Sequence, residues 1–414
     1  MRRSLLALVG AGLSLALAAC GSGTPSTTSS GPASSAAMEN SAPADAGTLT
    51  VWVDETRIDA FKKVGEAFKA ESGVTLDVVQ KPSQDIKTDF IAQAPSGQGP
   101  DLIVGAHDWM GDLVTNGVIS PVELGDKSGA FSEVATKAFT HDGQLMGVPY
   151  AVENIALVRN NKLAQETPAT FDELVAQGTS LTPDLPVVLQ QGDKGDAYHL
   201  YPIQSSFGAP VFKTDDKGEY VPELGMGGPE GEAFAAYVKK LADAKVLSAS
   251  VGGDQAKQAF VDGKSAYMIT GPWWAAEFKE GGMDITVLPI PSAGGQDAAP
   301  FVGVQGIFLS SKSSNGLLAN QFLTYMAGEE AQKTLHEEGG RLPAVESLAS
   351  SIDDELLKGF RDAGAKGHPM PSIPAMGAVW EFWGAGELAI IDGSVEPVAG
   401  WQQMITNIQE KIKK

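Results

Sequence analysis

Residues 49–80 read LTVWVDETRIDAFKKVGEAFKAESGVTLDVVQ, and their pattern sets the fold class. Residues 49–53 are an apolar run of strand length. Ile58, Phe61, Val64 and Phe68 then recur every three or four residues, the spacing of one helix face. Gly73 follows where a helix end calls for a left-handed residue. Residues 74–79 return to strand character, and after them come a helix through Ile86 and Phe90 to about Ala94 and a strand over 102–104. Strand, helix, strand, helix, strand with short connections predicts an α/β fold whose parallel sheet is covered on both faces. Ligands of such sheets gather beyond the C-terminal ends of the strands. Asp54-Glu55-Thr56-Arg57 and Ala106-His107-Asp108-Trp109 stand at two of those ends.

A second mixed region runs from about residue 155 to residue 300. Its expected elements are a strand at 186–190, a helix with Phe234, Tyr237, Val238 and Leu241 on one face, a helix over 255–261, and strands at 265–270 and 285–288. An apolar run follows at 301–309, then helices to about Gly339 and further helices after Met376 and Val395. In the last, Val398, Trp401, Ile405, Ile408 and Ile412 predict a narrow apolar stripe.

Upstream of the opening strand the chain carries an address. Met1-Arg2-Arg3 is a positive start and residues 4–19 are apolar with small residues at their end, which reads as a secretory leader over 1–19. The run is shorter than the roughly 20 residues that span a bilayer. Cys20, the only cysteine, closes Leu17-Ala18-Ala19-Cys20, which resembles the bacterial lipobox and implies lipid on Cys20. Residues 20–47, rich in Gly, Ser, Thr, Pro and Ala, read as a flexible tether. With one cysteine there is no intrachain disulfide, and thiol catalysis and thiolate metal sites are excluded. A formal net charge of -21 argues against nucleic acid or anionic lipid as a partner, since both would be repelled. The remaining chain is long enough for two domains of about 100–200 residues.

Several chemical motifs fail at a definite residue. Gly263-Lys264-Ser265 ends like a phosphate loop, but Gln258 stands where its first glycine belongs. His336-Glu337-Glu338-Gly339-Gly340 lacks the second histidine of a zinc protease helix, and Asp215-Asp216-Lys217-Gly218 is far short of a calcium loop. The five histidines have no ligand spacing, so no metal or cofactor is expected. Aromatics beside polar residues are present instead: Tyr198 and Tyr201 after Asp196, Trp273 and Trp274 after Gly271-Pro272, and Trp380 and Trp383 three apart on a late helix. For each pair the ordinary role is core packing. Aromatic faces with carboxylates and a cation nearby also suit a sugar, whose C–H face stacks while its hydroxyls donate and accept.

The order of segments resembles the maltose/maltodextrin-binding proteins of ABC importers. Residues 49–53 (LTVWV), 99–108 (GPDLIVGAHD), 147–153 (GVPYAVE), 269–273 (ITGPW), 287–289 (VLP), 300–304 (PFVGV) and 370–376 (MPSIPAM) through Trp380 carry the resemblance over nearly all of residues 48–414. It implies a two-lobed, periplasmic-binding-protein-like clamp of type II, each lobe a sheet flanked by helices. The lobes would be 48–151 with 306–350 and 155–300 with 356–414, joined by three crossings at 152–154, 301–305 and 351–355. It implies capture of maltose, a maltodextrin or a related α-glucoside by closure, delivery to the permease subunits, no chemistry on the ligand, and a monomer anchored outside the cytoplasm by lipid on Cys20. The ligand-binding residues it implies, with the neighbours at the strand ends, are Asp54, Glu55, Arg57, Ala106, Asp108, Trp109, Glu153, Asp196, Tyr198, Trp273, Met370, Trp380 and Trp383. The chain departs from the enteric members at Gly105, where they carry Trp, and at Trp109 and Gly384, where they carry Arg. Two other readings stand beside it: a glycosidase using a carboxylate pair such as Asp108 and Glu153, and the same clamp for a peptide, polyamine or iron chelate.

Overall fold

The computed structural model describes residues 46–216, 218 and 220–413. The expected leader, Cys20 and the tether as far as residue 45 lie outside the described residues. In chain order the elements that build the site begin with β1 (Gly47–Val53), α1 (Ile58–Ser72), β2 (Val74–Gln80), α2 (Ser83–Gln93), β3 (Leu102–Ala106), β4 (Val148–Asn154) and β5 (Ala156–Asn160). They continue with α3 (Ala197–Ser206), α4 (Gly228–Asp243), β6 (Tyr267–Thr270), α5 (Pro272–Glu280), β7 (Ile285–Leu288) and β8 (Phe301–Ser310). Helices α6 (Glu329–Gly339), α7 (Glu355–Gly364), α8 (Ala375–Ile391) and α9 (Pro397–Ile412) complete them. Among the described residues no helix is long and apolar enough to cross a membrane.

The opening stretch folds as its periodicity predicts. Helix α1 buries Ala60, Phe61, Val64 and Phe68, and Gly73 ends it at φ 76°, its N–H on the Lys69 carbonyl. Strand β1 lies parallel between β2 and β3. The sheet then departs from the all-parallel expectation, because β8 pairs antiparallel with both β3 and β4. A bulge between Gln305 and Gly306 interrupts the β8–β4 ladder, and the Phe139 ring fills the space that a Cβ on Gly306 would need.

In the second region β5 is the centre of an antiparallel sheet between β6 and β7. The strand expected at 186–190 does not form. Pro186 has no N–H to donate, and the segment makes a single parallel bridge, Val188 to Met268, before Gln191 turns its N–H to the Val251 carbonyl. The apolar run that suggested a strand is a buried connection, with Val187, Val188 and Leu189 all inaccessible. Helix α9 also differs: it buries Trp401, Met404 and Ile408, while Val398 at the start of the predicted stripe is exposed.

Among the described residues most of the buried apolar side chains fall into three clusters, one from residues 49–151 and 304–345, a second from 155–301 and 370–408, and a smaller third around β5, β6 and α7. Strands β4 and β8 run from the first cluster to the second. His107 clamps that junction: its Nδ1 accepts the Val304 N–H at 3.1 Å, so Nε2–H donates to the Met370 carbonyl at 2.9 Å. Burial pushes its pKa down, in keeping with a neutral ring whose tautomer is set by these two bonds.

One buried group opposes the fold. Glu387 in α8 is completely inaccessible and neither carboxyl oxygen has a hydrogen-bond partner, while the Trp383 indole one turn earlier donates to Gln204 at 3.2 Å. Burial, reinforced by the charge of Asp196, pushes its pKa well above the ordinary carboxyl range. A folded pKa raised above the unfolded one means that stability is fully present below the ordinary pKa of 4.5 and declines as pH rises toward the raised value. Glu387→Met is expected to stabilise by about 1–3 kcal/mol, with a larger shift in thermal midpoint at pH 7.5 than at pH 5; equal shifts at both pH values would contradict this account.

Candidate functional site

At the end of β1 and the tip of β4 lies a closed network of two guanidinium groups and two carboxylates. Asp54 turns back on its own loop, Oδ1 accepting the Thr56 N–H and hydroxyl, each at 2.9 Å. Arg57 donates from Nη1 to Asp54 Oδ2 and from Nε to the Tyr150 hydroxyl at 2.5 Å, with Nη2 at 3.8 Å from Glu153. Glu153 accepts from Gln305 Nε2 at one oxygen and from Arg341 Nε at the other, both at 2.7 Å. Arg341 closes the ring with a bond from Nη2 to the Thr56 hydroxyl at 2.8 Å. Asp54, Arg57, Glu153 and Arg341 are all buried. Arg341, Gln305 and Tyr150 were not among the predicted site residues, and Arg341, directly after the glycine that ends α6, carries no local signal of its role.

The second group gathers around Asp108. Its Oδ2 accepts the Trp380 indole N–H at 2.8 Å, while Oδ1 is buried and has no partner. Burial raises the pKa of this carboxyl, with His107 and Lys87 pulling the other way. Tyr198 lies nearly parallel to Phe301, ring centroids 6.3 Å apart. Burial raises its hydroxyl pKa strongly, and the charges of Glu153, Asp196 and Asp108 add to the shift. Asp196 caps α3 by accepting the His199 N–H at 3.1 Å, and it also accepts from the His199 ring and Gln190. Burial pushes Asp196 up, but these donors more than offset it and hold the carboxyl below its ordinary range. Trp273 presents an edge to His199 at 6.3 Å, and the Arg341 guanidinium stands 5.7 Å over its ring.

Two tryptophans are seated on glycine. A Cβ on Gly105 would lie 2.1 Å from the Trp109 ring, and one on Gly271 would lie 2.1 Å from the Trp273 ring. The indole of Trp109 therefore occupies the space that a side chain at 105 would fill, so the exchange of Trp from 105 to 109 keeps an aromatic face beside the end of β3. At Gly384 there is no such compensation: the Gly195 and Lys194 carbonyls stand 3.0 Å from where its Cβ would be.

The remaining predicted residues divide. Glu55 is exposed and Ala106 half-buried. Met370 is buried, its backbone engaged by His107 and Val302. Trp383 is completely buried, stacked against Trp380 with centroids 5.4 Å apart and edge-on to Tyr201, so its ring is covered by the two aromatic neighbours. Both oxygens of Glu153, one member of the carboxylate pair of the glycosidase reading, are held by donors. No group of three or more metal-binding side chains exists among the described residues.

Comparison with known proteins follows the same direction. The family described as bacterial extracellular solute-binding protein matches residues 63–358. A galactooligosaccharide-binding protein of Bacillus subtilis is 27% identical, covering 97% of this chain and 96% of its own. A maltooligosaccharide ABC transporter solute-binding lipoprotein of Streptococcus pneumoniae is also 27% identical, over 97% of this chain and 95% of its own. Among solved structures, the Thermus thermophilus maltotriose-binding protein bound with maltotriose superposes with a TM-score of 0.80 at 31% identity, covering 88% of this chain and 100% of that one. That likeness establishes the α/β periplasmic-binding-protein fold.

The buried network makes a direct prediction. Arg341→Met removes one of the donors that hold the Glu153 carboxylate, and breaking a buried pair in this way costs about 3–5 kcal/mol. Denaturant unfolding is expected to show a loss near the lower end, since Gln305 and Arg57 remain. A loss under about 1 kcal/mol would mean that the pair is solvated in solution.

Proposed function

The chain belongs to the bacterial extracellular solute-binding proteins, and from that premise we propose that it is the capture subunit of an ABC importer, closing on maltose, a maltodextrin or a close α-glucoside. It is a binding protein and not an enzyme. The observation that carries the reading is Asp108: one buried carboxylate oxygen has no partner, while the other accepts the N–H at the edge of the Trp380 indole. Such an oxygen takes a hydroxyl proton, and Trp380, Tyr198, Trp273 and Trp109 supply aromatic faces for the C–H side of a sugar ring. The first and second core clusters would be the lobes of the clamp, hinged at 152–154, 301–305 and 351–355. Asp54, Arg57 and Glu153 would shape the floor, with Asp196 and Met370 beside them, Ala106 close by and Glu55 at the rim.

The α-glucoside reading draws on the maltotriose complex of the 31% identical structure. The galactooligosaccharide-binding relative favours a second sugar class for the same cleft. Titration calorimetry with maltotriose, trehalose and a galactooligosaccharide separates them. Micromolar affinity, roughly −8 kcal/mol, is expected for the correct class, with Trp273→Ala and Trp380→Ala each weakening it by a factor of about 10–100 through lost stacking. Heat from none of the three sugars would overturn the proposal.

Asp108 adds a pH dependence of known sign. Its pKa is raised in the free protein, and a hydroxyl donated to the ionised carboxylate favours the deprotonated form. Affinity is therefore full above the free pKa and falls as pH drops through it, with protons released on binding. This slope is expected to vanish in Asp108→Asn; a slope unchanged in that variant would assign the titration elsewhere.

Delivery requires a place near the permease, which lipid on Cys20 would provide, the segment to residue 47 acting as the tether. Cys20→Ser is expected to release the protein from the membrane fraction while its sugar affinity stays unchanged.

A further inference from the structure

Lys194 and Asp85 form an exposed ion pair between segments of different core clusters, Nζ to Oδ1 at 3.4 Å. Each is presented by a fixed backbone. Asp85 is in the first turn of α2, which seats Ile86 and Phe90 in the first cluster. Lys194 is at the tip of a turn between Gly192 at φ 68° and Gly195 at φ 75°, and Leu189 and Ala197 on either side of that turn belong to the second cluster. The turn is pressed against α8, since a Cβ on Gly195 would lie 2.0 Å from the Gly384 carbonyl oxygen. A second chain of contacts joins the same two helices. Lys87 of α2 pairs with Asp112 at 2.7 Å, and Asp112 meets α8 at Gly377, where a Cβ would lie 2.5 Å from its carboxylate. Gly377, Trp380 and Gly384 are spaced three and four apart and share one face of α8. The bond from Trp380 to Asp108 therefore falls between the two attachments.

We propose that Asp85 and Lys194 are a latch, positioning residues that hold the two regions together over a bound sugar without touching it. The inference rests on the clamp reading and deepens it, since it adds two residues that neither sequence nor resemblance pointed to. Each member moves with its own cluster, so the pair forms only when the two regions have come together. Opening breaks it. A ligand that needs the closed form feels the latch as a change in the fraction of molecules able to hold it. The effect is small, because an exposed pair contributes at most about 1 kcal/mol, a factor of about five. It is also separable from recognition: a neutral sugar offers no charge for salt to screen, whereas an exposed ion pair does.

The test uses the full extracytoplasmic protein and whichever of maltotriose, trehalose and the galactooligosaccharide gives heat, with calorimetry for affinity and stopped-flow for dissociation. Lys194→Met and Asp85→Asn are each expected to keep the unfolding midpoint of the free protein and to weaken binding about two- to fivefold, chiefly through faster dissociation. The double variant should lose no more than either single one, because both remove the same contact. Salt at about 1 M, where the screening length is about 3 Å, should weaken wild-type binding by a similar factor and leave the three variants unaffected. Unchanged affinity in both single variants would overturn the latch alone. So would losses that add in the double variant, since the two side chains would then act on the sugar separately. A wild-type protein that binds no sugar of the panel would overturn the oligosaccharide reading and the latch with it.

Discussion

Glu153 is the constraint on which the rest of the structure depends. A carboxylate buried at the tip of β4 cannot stay ionised without donors, and the fold brings Gln305 from β8 and Arg341 from beyond α6 to supply them. Arg341 then reaches Thr56 at the end of β1, and through Thr56 and Asp54 the network returns to Arg57. Two positive and two negative groups, all buried, neutralise one another. The same guanidinium stands 5.7 Å over the ring of Trp273, a residue packed against the second core cluster. One side chain thus joins the polar network to an aromatic ring.

The half-buried tryptophans are held differently, by seating. Trp109 and Trp273 lie over glycines, and Trp380 rests on Trp383, which is wholly buried. Each of these half-buried rings therefore has a rigid backing, and stacking a ligand ring on it would cost little side-chain entropy. Two carboxylates near these rings differ in their partners: Glu153 is held at both oxygens, while Asp108 keeps one oxygen without a hydrogen-bond partner. The unpartnered oxygen is the one the proposed ligand would engage.

The sheet of β1 to β3 was legible because its signals are local: apolar runs, one helical period and a glycine cap. Legibility failed where the deciding partner is distant. Residues 186–190 have a strand's composition, but Pro186 withholds a donor and Val251 captures the next N–H, neither of which periodicity registers. Trp380 and Trp383 share a helix face by spacing, yet the packing of Tyr201 and the Gln204 acceptor, both distant in sequence, accompany the burial of Trp383 alone. Arg341 lies 188 residues from the carboxylate it serves, and no motif joins the two. Carboxylates and aromatics at strand ends could be found from sequence; the residues that hold or complete them could not.

The Trp109 indole lying across Gly105 ties two positions into one unit. Placing a large residue at 105 alone collides with the ring, and removing the ring alone leaves a bare glycine with no aromatic surface. A larger residue at 105 would therefore need a smaller one at 109 at the same time. The two positions are coupled in packing, so the tolerance of one is set by the residue at the other.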